Sequence, residues 1–273
     1  MSAMLDIRPL SPTIGAEIFG IDLRDEPDDG TMAELDKAFL DHKVLFFRDQ
    51  DITSDQHVAF ARHFGELEVH PFVPHKDGYP EVMVLQHDEN FRGTENAWHS
   101  DVTWRLEPSL GSILRAVEVP PVGGDTLFAD MEAAFEALGD EMKRRLREMT
   151  AIHDFARVFG FNKTPQEQAE LREKFPPAEH PVIRTHPVTG RQSLYVNVAF
   201  TSHIVDMDAD ESRKLLRRLY RQASIPEYQC RFRWAPHSIA FWDNRCVQHY
   251  AVSDYWPARR RMERVTIVGD RPR

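Results

Sequence analysis

Cysteine is nearly absent: Cys230 and Cys246 are the only two in 273 residues. A pair is too few for a disulfide framework and fits a reducing cytoplasm, with both thiols as small core residues. Positive charge is short as well, 34 Lys and Arg against 44 Asp and Glu, for a formal net charge of −10. A nucleic-acid partner needs a basic face to displace phosphate counterions, so this balance argues against one. A small anionic ligand is still compatible, because a site needs only a local cationic cluster. No apolar run approaches the roughly eighteen residues that cross a bilayer. Residues 1–6 lack the basic start and apolar core of a secretory signal, so neither a membrane nor an export route is expected. Internal repeats, low-complexity tracts and linkers are also missing, which predicts a single catalytic-sized domain over 1–273.

What is present is a set of short runs rich in β-branched and aromatic residues. Segments 43–48, 82–85, 112–117, 193–197, 229–234, 238–242 and 263–268 read as strands, and their spacing suggests antiparallel sheets. Helices are expected at 53–64, where Thr53 and Gln56 form a capping box, at 131–138, and at 208–223 with Leu215, Leu216, Leu219 and Tyr220 as its buried stripe. Strands that punctuate helices without regular alternation fit a mainly β protein with helical insertions, a jelly roll of two facing sheets, better than a doubly wound sheet. The longest insertion falls at about 130–181 and reads as mostly helical and charged.

His99-Ser100-Asp101 and the distant His249 carry the chemistry. Two imidazoles and one carboxylate can occupy one face of a metal ion and leave the other open, the facial triad of non-haem Fe(II) oxygenases. Residues i and i+2 on extended chain point the same way, so one short strand can deliver His99 and Asp101, with the third ligand from a distant strand. Downstream, Arg260 and Arg264 share parity in an alternating run, and a guanidinium there can clamp a carboxylate with two parallel hydrogen bonds. A zinc hydrolase using the same trio with an open water position, and a non-catalytic small-molecule binder, are the rival readings. Neither accounts for Gly123-Gly124-Asp125-Thr126-Leu127 together with Arg260 and Arg264.

Taken together, Ile14-Gly15-Ala16-Glu17, Trp98-His99-Ser100-Asp101-Val102-Thr103, the glycine pair with Thr126, His186-Pro187-Val188-Thr189-Gly190, Phe241-Trp242-Asp243-Asn244-Arg245 and Gly269-Asp270 resemble the taurine dioxygenase family. These are Fe(II)/2-oxoglutarate-dependent dioxygenases, and the likeness covers nearly the whole chain. It implies a double-stranded β-helix of cupin-like type, with His99, Asp101 and His249 holding Fe(II) and with 2-oxoglutarate and O2 as cosubstrates. By the same resemblance Thr126 and Arg260 hold the far carboxylate of 2-oxoglutarate, and Arg264 borders cosubstrate and substrate. The substrate positions become His70, Val73, Glu95, Phe159, Phe200 and Arg264, with segment 155–175 as a lid. Val73 and Glu95 stand where taurine enzymes of the family carry tyrosine and asparagine. The activity implied is hydroxylation of a small anion, taurine or a related alkylsulfonate with release of sulfite; an alkyl sulfate ester or an aryloxyalkanoate is the alternative. Self-association as a dimer or tetramer is implied by the resemblance alone.

Overall fold

The computed structural model describes residues 4–71, 73–93 and 96–273. Its main layer is an eight-stranded sheet whose central strands run, in spatial order, Val44–Phe47, Ile239–Asp243, Gly111–Glu118, Arg260–Ile267 and Tyr79–His87. Asp6–Pro9 and Ala16–Phe19 extend one edge and His75–Lys76 the other. A second, three-stranded sheet is ordered Gln229–Phe232, Thr126–Asp130, Val247–Ala251. Pairing is antiparallel in both sheets except between Ala16–Phe19 and Val44–Phe47.

The alternation of side chains along each strand builds two cores at once. Val44, Phe46, Leu114, Ala116, Ala240, Trp242 and Met262 from the large sheet pack with Phe128, Cys230, Phe232 and Val247 from the small one. Phe46 stacks on Phe232 at 4.1 Å between ring centroids. The intervening residues Leu45, Phe47, Ile113, Ile239, Phe241, Val265 and Ile267 face the other way, onto helices Asp29–His42 and Ser54–Arg62. Strands buried on both faces read as continuous apolar runs, as Val44–Phe47 does. Two facing sheets with this connectivity form a jelly roll, and both cysteines are buried in it as expected. Burial pushes the Cys230 thiol up to about 12, far from thiolate chemistry at neutral pH.

Between Thr126–Asp130 and Gln229–Phe232, adjacent in the small sheet, the chain leaves the sandwich and returns. The excursion carries helices Met131–Glu136, Asp140–Arg147, Ala156–Phe159, Pro165–Lys174 and Ala209–Tyr220. It also carries a three-stranded sheet, ordered Thr201–Ile204, Thr150–His153, Ala178–Pro181, and the hairpin Ile183–Thr185 with Gln192–Leu194. The span 130–181 therefore holds two strands as well as helices, and the excursion continues to residue 228. Its own core, around Phe135, Leu146, Val182, Leu216 and Leu219, covers the outer face of the small sheet through Ala129. Among the described residues no helix is long and apolar enough to cross a membrane.

Candidate active site

His99 and His249 meet as backbone partners. Each donates its N–H to the other's carbonyl, at 3.1 and 2.8 Å, in an isolated antiparallel bridge where the His99 segment runs along strand Val247–Ala251. The extended geometry expected through Asp101 stops there, because residues 101–104 form a turn in which Val102 adopts φ 48°. A β-branched residue with positive φ is strained, and such strain persists only where surrounding contacts enforce it. Here the Asp101 N–H donates to Asn244 Oδ1 at 3.1 Å instead of to a neighbouring strand. Thr103 is tied to His153 Nδ1 (2.9 Å) and Asn197 Nδ2 (3.0 Å) through its hydroxyl.

The outcome still brings the three side chains together. His99 Nε2 and His249 Nε2 lie 3.9 and 3.8 Å from Asp101 Oδ1, and the three atoms fall within 4.8 Å of one another. None of these separations is a hydrogen bond, while three convergent donor atoms with two neutral-capable imidazoles and a carboxylate suit a divalent cation. The ring of His99 is oriented by Nδ1 against the Ala97 carbonyl at 2.7 Å, which turns Nε2 toward the centre. His249 has no such acceptor on Nδ1. Packing holds it instead, against Trp242 at 4.8 Å and His99 at 4.2 Å between centroids. Burial, reinforced by His99, drives the His249 imidazole well below its ordinary value, so it stays neutral and able to ligate. The residues present therefore fit a metal.

Asp101 is the most constrained group. Burial alone would raise its carboxyl, but Arg264, His249 and His99, with the Ser112 hydroxyl, hold it well below the usual carboxylate range. Arg264 Nη1 donates to Oδ1 at 2.8 Å and Ser112 Oγ to Oδ2 at 2.7 Å. Asn244 ties this together. Its Oδ1 accepts from the Asp101 N–H and from Trp242 Nε1 (3.0 Å), and its Nδ2 donates to Ser109 Oγ (3.1 Å) and Ser112 Oγ (3.2 Å). Neighbouring Asp243 points elsewhere, forked by Arg245 at 2.8 and 2.7 Å and bonded to His186 Nε2 at 3.0 Å. His186 Nδ1 accepts from the Val188 and Thr189 N–H groups, so in the His186, Asp243 and Cys246 group the ring nitrogens of the first and both carboxylate oxygens of the second are already engaged within the protein.

From the trio a cavity runs between the sheets, bordered by Leu114, Trp242, Thr126, Arg260 and Arg264. Arg260 and Arg264 sit on strand Arg260–Ile267 with Met262, on its inner face, as parity requires. Arg260 is 4% exposed and its guanidinium lies between the rings of Trp234 (6.0 Å) and Tyr255 (5.9 Å). Thr126 Oγ1 accepts from Trp234 Nε1 at 3.0 Å, which aims the hydroxyl proton away from the indole.

The remaining positions divide. Phe200 is buried and packs edge-on against His99 at 6.4 Å. His70 is buried, accepts the Val73 N–H on Nδ1 at 3.2 Å, and is pushed down to about 4 by burial and by the nearby Arg264 and Arg105 charges. It is therefore a neutral hydrogen-bonding group at pH 7. Val73 serves His70 through its backbone. Phe159 is 38% exposed and stacks on Phe155 at 4.4 Å; the buried ring beside the Asp101 turn is Phe155, packed on Trp104 at 4.8 Å. Glu95 lies outside the described residues. Asn244, Ser112, Trp234 and the Glu68–Arg105 ion pair (2.7 Å) escaped the sequence reading. For Asn244 the signal existed in the Trp242-Asp243-Asn244-Arg245 run, but spacing gave it no role.

With the geometry in place, comparison with known proteins is direct. The sequence pattern of the Taurine catabolism dioxygenase TauD, TfdA family matches residues 6–266. An alkylsulfatase of Acinetobacter baylyi is 36% identical over 97% of this chain and 86% of its own length. An alpha-ketoglutarate-dependent sulfate ester dioxygenase of Pseudomonas putida is 35% identical over 98% of this chain and 91% of its own. The crystal structure of a taurine dioxygenase from Burkholderia xenovorans superposes with a TM-score of 0.86 at 38% identity, covering 98% of this chain and 90% of that one.

Proposed function

Because the chain belongs to the taurine catabolism dioxygenase family, whose members are 2-oxoglutarate-dependent non-haem iron enzymes, we propose that His99, Asp101 and His249 hold Fe(II). The observation that carries this reading is the convergence of those three ligand atoms within 4.8 Å at a cavity that also holds Arg260 and Thr126. Iron bound there supplies O2 activation coupled to oxidative decarboxylation of 2-oxoglutarate to succinate and CO2, with hydroxylation of a substrate C–H bond.

The residues of the chain do the binding and positioning. Arg260 takes the far carboxylate of 2-oxoglutarate as a charge-assisted pair, helped by the Thr126 hydroxyl, in a dry pocket where such pairs are strong. Arg264 and neutral His70 form the anion end for substrate. In the structure Arg264 rests on Asp101 Oδ1, so an anion that captures the guanidinium would loosen its hold on that carboxylate. Phe200 keeps water from the site on the His99 side.

The substrate class follows as a small sulfonate or sulfate ester, the chemistry named for the relatives, with aryloxyalkanoates as the second reading. Hydroxylation of the carbon attached to sulfur gives an adduct that expels sulfite; hydroxylation beside a sulfate ester oxygen gives an aldehyde and sulfate. The whole described chain then acts as one catalytic domain.

The test is an assay with Fe(II), 2-oxoglutarate, O2 and a panel of sulfonates, sulfate esters and aryloxyacids, reading substrate-dependent succinate together with sulfite or sulfate. His99→Ala and His249→Ala should lose turnover and metal binding, beyond the roughly 10–100-fold typical of removing an outer partner. Succinate and metal binding retained in both variants would sink the assignment. Turnover of aryloxyacids alone would move the substrate to the second reading.

A further inference from the structure

Thr126, Arg260 and His87 border the same cavity, and only the first two have been given a task. His87 stands directly opposite Arg260 in the register of neighbouring strands Tyr79–His87 and Arg260–Ile267. It ends its strand, is 6% exposed, and presents its ring to the cavity beside Leu85, which lies two residues earlier on the same face. Behind it, the Tyr255 hydroxyl meets His87 Nδ1 at 2.6 Å. Tyr255 is itself fixed from two sides. Its ring lies 5.9 Å from the Arg260 guanidinium. On its other side runs the Gly123-Gly124 turn, with both residues at positive φ, and a Cβ at Gly124 would come within 3.2 Å of Tyr255 Cδ1 and 3.4 Å of Arg260 Cδ. Asp254 Oδ1 accepts the Gly124 N–H at 2.8 Å, locking that turn to the Tyr255 loop.

We propose that the His87–Tyr255 pair is the end wall of the cosubstrate cavity and sets the length of the 2-oxo acid that the enzyme accepts. This rests on the reading of Arg260 as the far-carboxylate clamp. A clamp by itself does not measure length, because a guanidinium on a flexible stem can meet carboxylates at different depths. Length is measured by what stops the chain behind the clamp. Here the stop is an imidazole anchored by a short hydrogen bond to a phenol, which is in turn wedged between Arg260 and the glycine turn. An acid one methylene longer must displace that anchored pair or leave the Arg260 fork. The wall therefore discriminates between the five-carbon 2-oxoglutarate and the six-carbon 2-oxoadipate. His87 and Tyr255 are specificity residues in this scheme, and neither enters the bond-making steps.

The test uses the full chain loaded with Mn(II), which supports binding without turnover, and calorimetric affinities for the two acids. Parent protein should prefer 2-oxoglutarate by at least about tenfold, the smaller end of what one methylene is worth in a closed pocket. His87→Ala should reduce or reverse that preference by about tenfold or more, and Tyr255→Phe, which keeps the ring but removes the phenol's hydrogen bond to the imidazole, by a few-fold. Thermal melting of each variant shows whether it is folded, and the phenol-to-phenyl change keeps the test alive if His87→Ala does not fold. An unchanged affinity ratio in folded variants, or a parent that binds both acids equally, would overturn the end wall while leaving the oxygenase reading intact. Failure of the parent to bind either acid would overturn both together.

Discussion

The two flanks of the ligand trio are built differently. On one side Thr126, His87, Leu114, Arg260 and Arg264 all stand on strands of the sandwich, each within a register of several paired residues. On the other side lie residues 66–71 with His70, the strained turn after Asp101, and Phe155 and Phe200 from the long excursion. The strand-built flank is rigid because moving one side chain means slipping a whole ladder, and a one-residue slip would turn every inner residue outward. The loop-built flank rests on a small apolar cluster, Val102, Trp104, Phe155 and Phe200, with Leu171 and Phe175 against it. Its Ala156–Phe159 and Pro165–Lys174 helices bury almost nothing of their own. Under the proposed roles, the cosubstrate clamp sits wholly on the part of the fold least able to change, whereas the substrate end combines one residue of that part, Arg264, with residues of the part most able to.

Breaking the rigid flank should have the largest effect. Arg260→Ala is expected to weaken 2-oxoglutarate binding by about 2–5 kcal/mol, since the cosubstrate carboxylate is left buried without its cation. Arg260→Lys should recover only part of this, because an ammonium cannot reproduce the planar fork. Cosubstrate titration of metal-loaded protein checks it, and an unchanged affinity would transfer the clamp to Arg264.

Asn244 tests the boundary between the flanks, since it holds the Asp101 turn to strand Ile239–Asp243. Asn244→Ala should lower metal affinity by about 10–100-fold, as removal of an outer partner typically does. Cosubstrate affinity at saturating metal should change far less. Competition with a metal-sensitive dye separates the two, and metal affinity equal to the parent's would show that Ser112 and Arg264 suffice to place the carboxylate.

The smallest effect should come from the loop-built flank, and it should be uneven. Phe200→Ala, which removes a buried ring beside His99, is expected to raise substrate KM and to increase uncoupled 2-oxoglutarate decay. Phe159→Ala should change KM by no more than about twofold, in keeping with the small effect of an exposed side chain. If Phe159→Ala proves the more damaging, the exposed position of that ring is not the one used in turnover.

Legibility in the sequence followed the same division. The strands at 44–47, 111–118, 229–232 and 239–243 carry continuous or alternating apolar residues, and each lies within two residues of where it was expected, while the strand at 260–267 begins three residues before the expected 263–268. Helix Ser54–Arg62 begins at the capping box of Thr53 and Gln56. Helices Asp140–Arg147 and Pro165–Lys174 fall in the span expected to be mostly helical but were not placed individually, because the first buries only Leu146 and the second nothing, so neither shows an apolar stripe to read. Among the described residues the small strands Thr150–His153 and Ala178–Pro181 pair with each other, and the first also with Thr201–Ile204, and four residues hold too little periodicity to distinguish from helix.

By itself the sequence determined the donor set of the site, the sheet-forming segments and the shared parity of Arg260 and Arg264. Those properties are local: a residue type, a capping pair, a period of two along one strand. Only the tertiary structure decided that Asp101 reaches His249 from a strained turn and not from a strand, that Phe155 and not Phe159 is the buried ring, and that Asn244 and His87 belong to the site at all. Each of these depends on which distant segment supplies a hydrogen-bond partner or a packing face. Asn244 meets Asp101 across 143 positions and Tyr255 meets His87 across 168, distances over which chain order carries no record of contact.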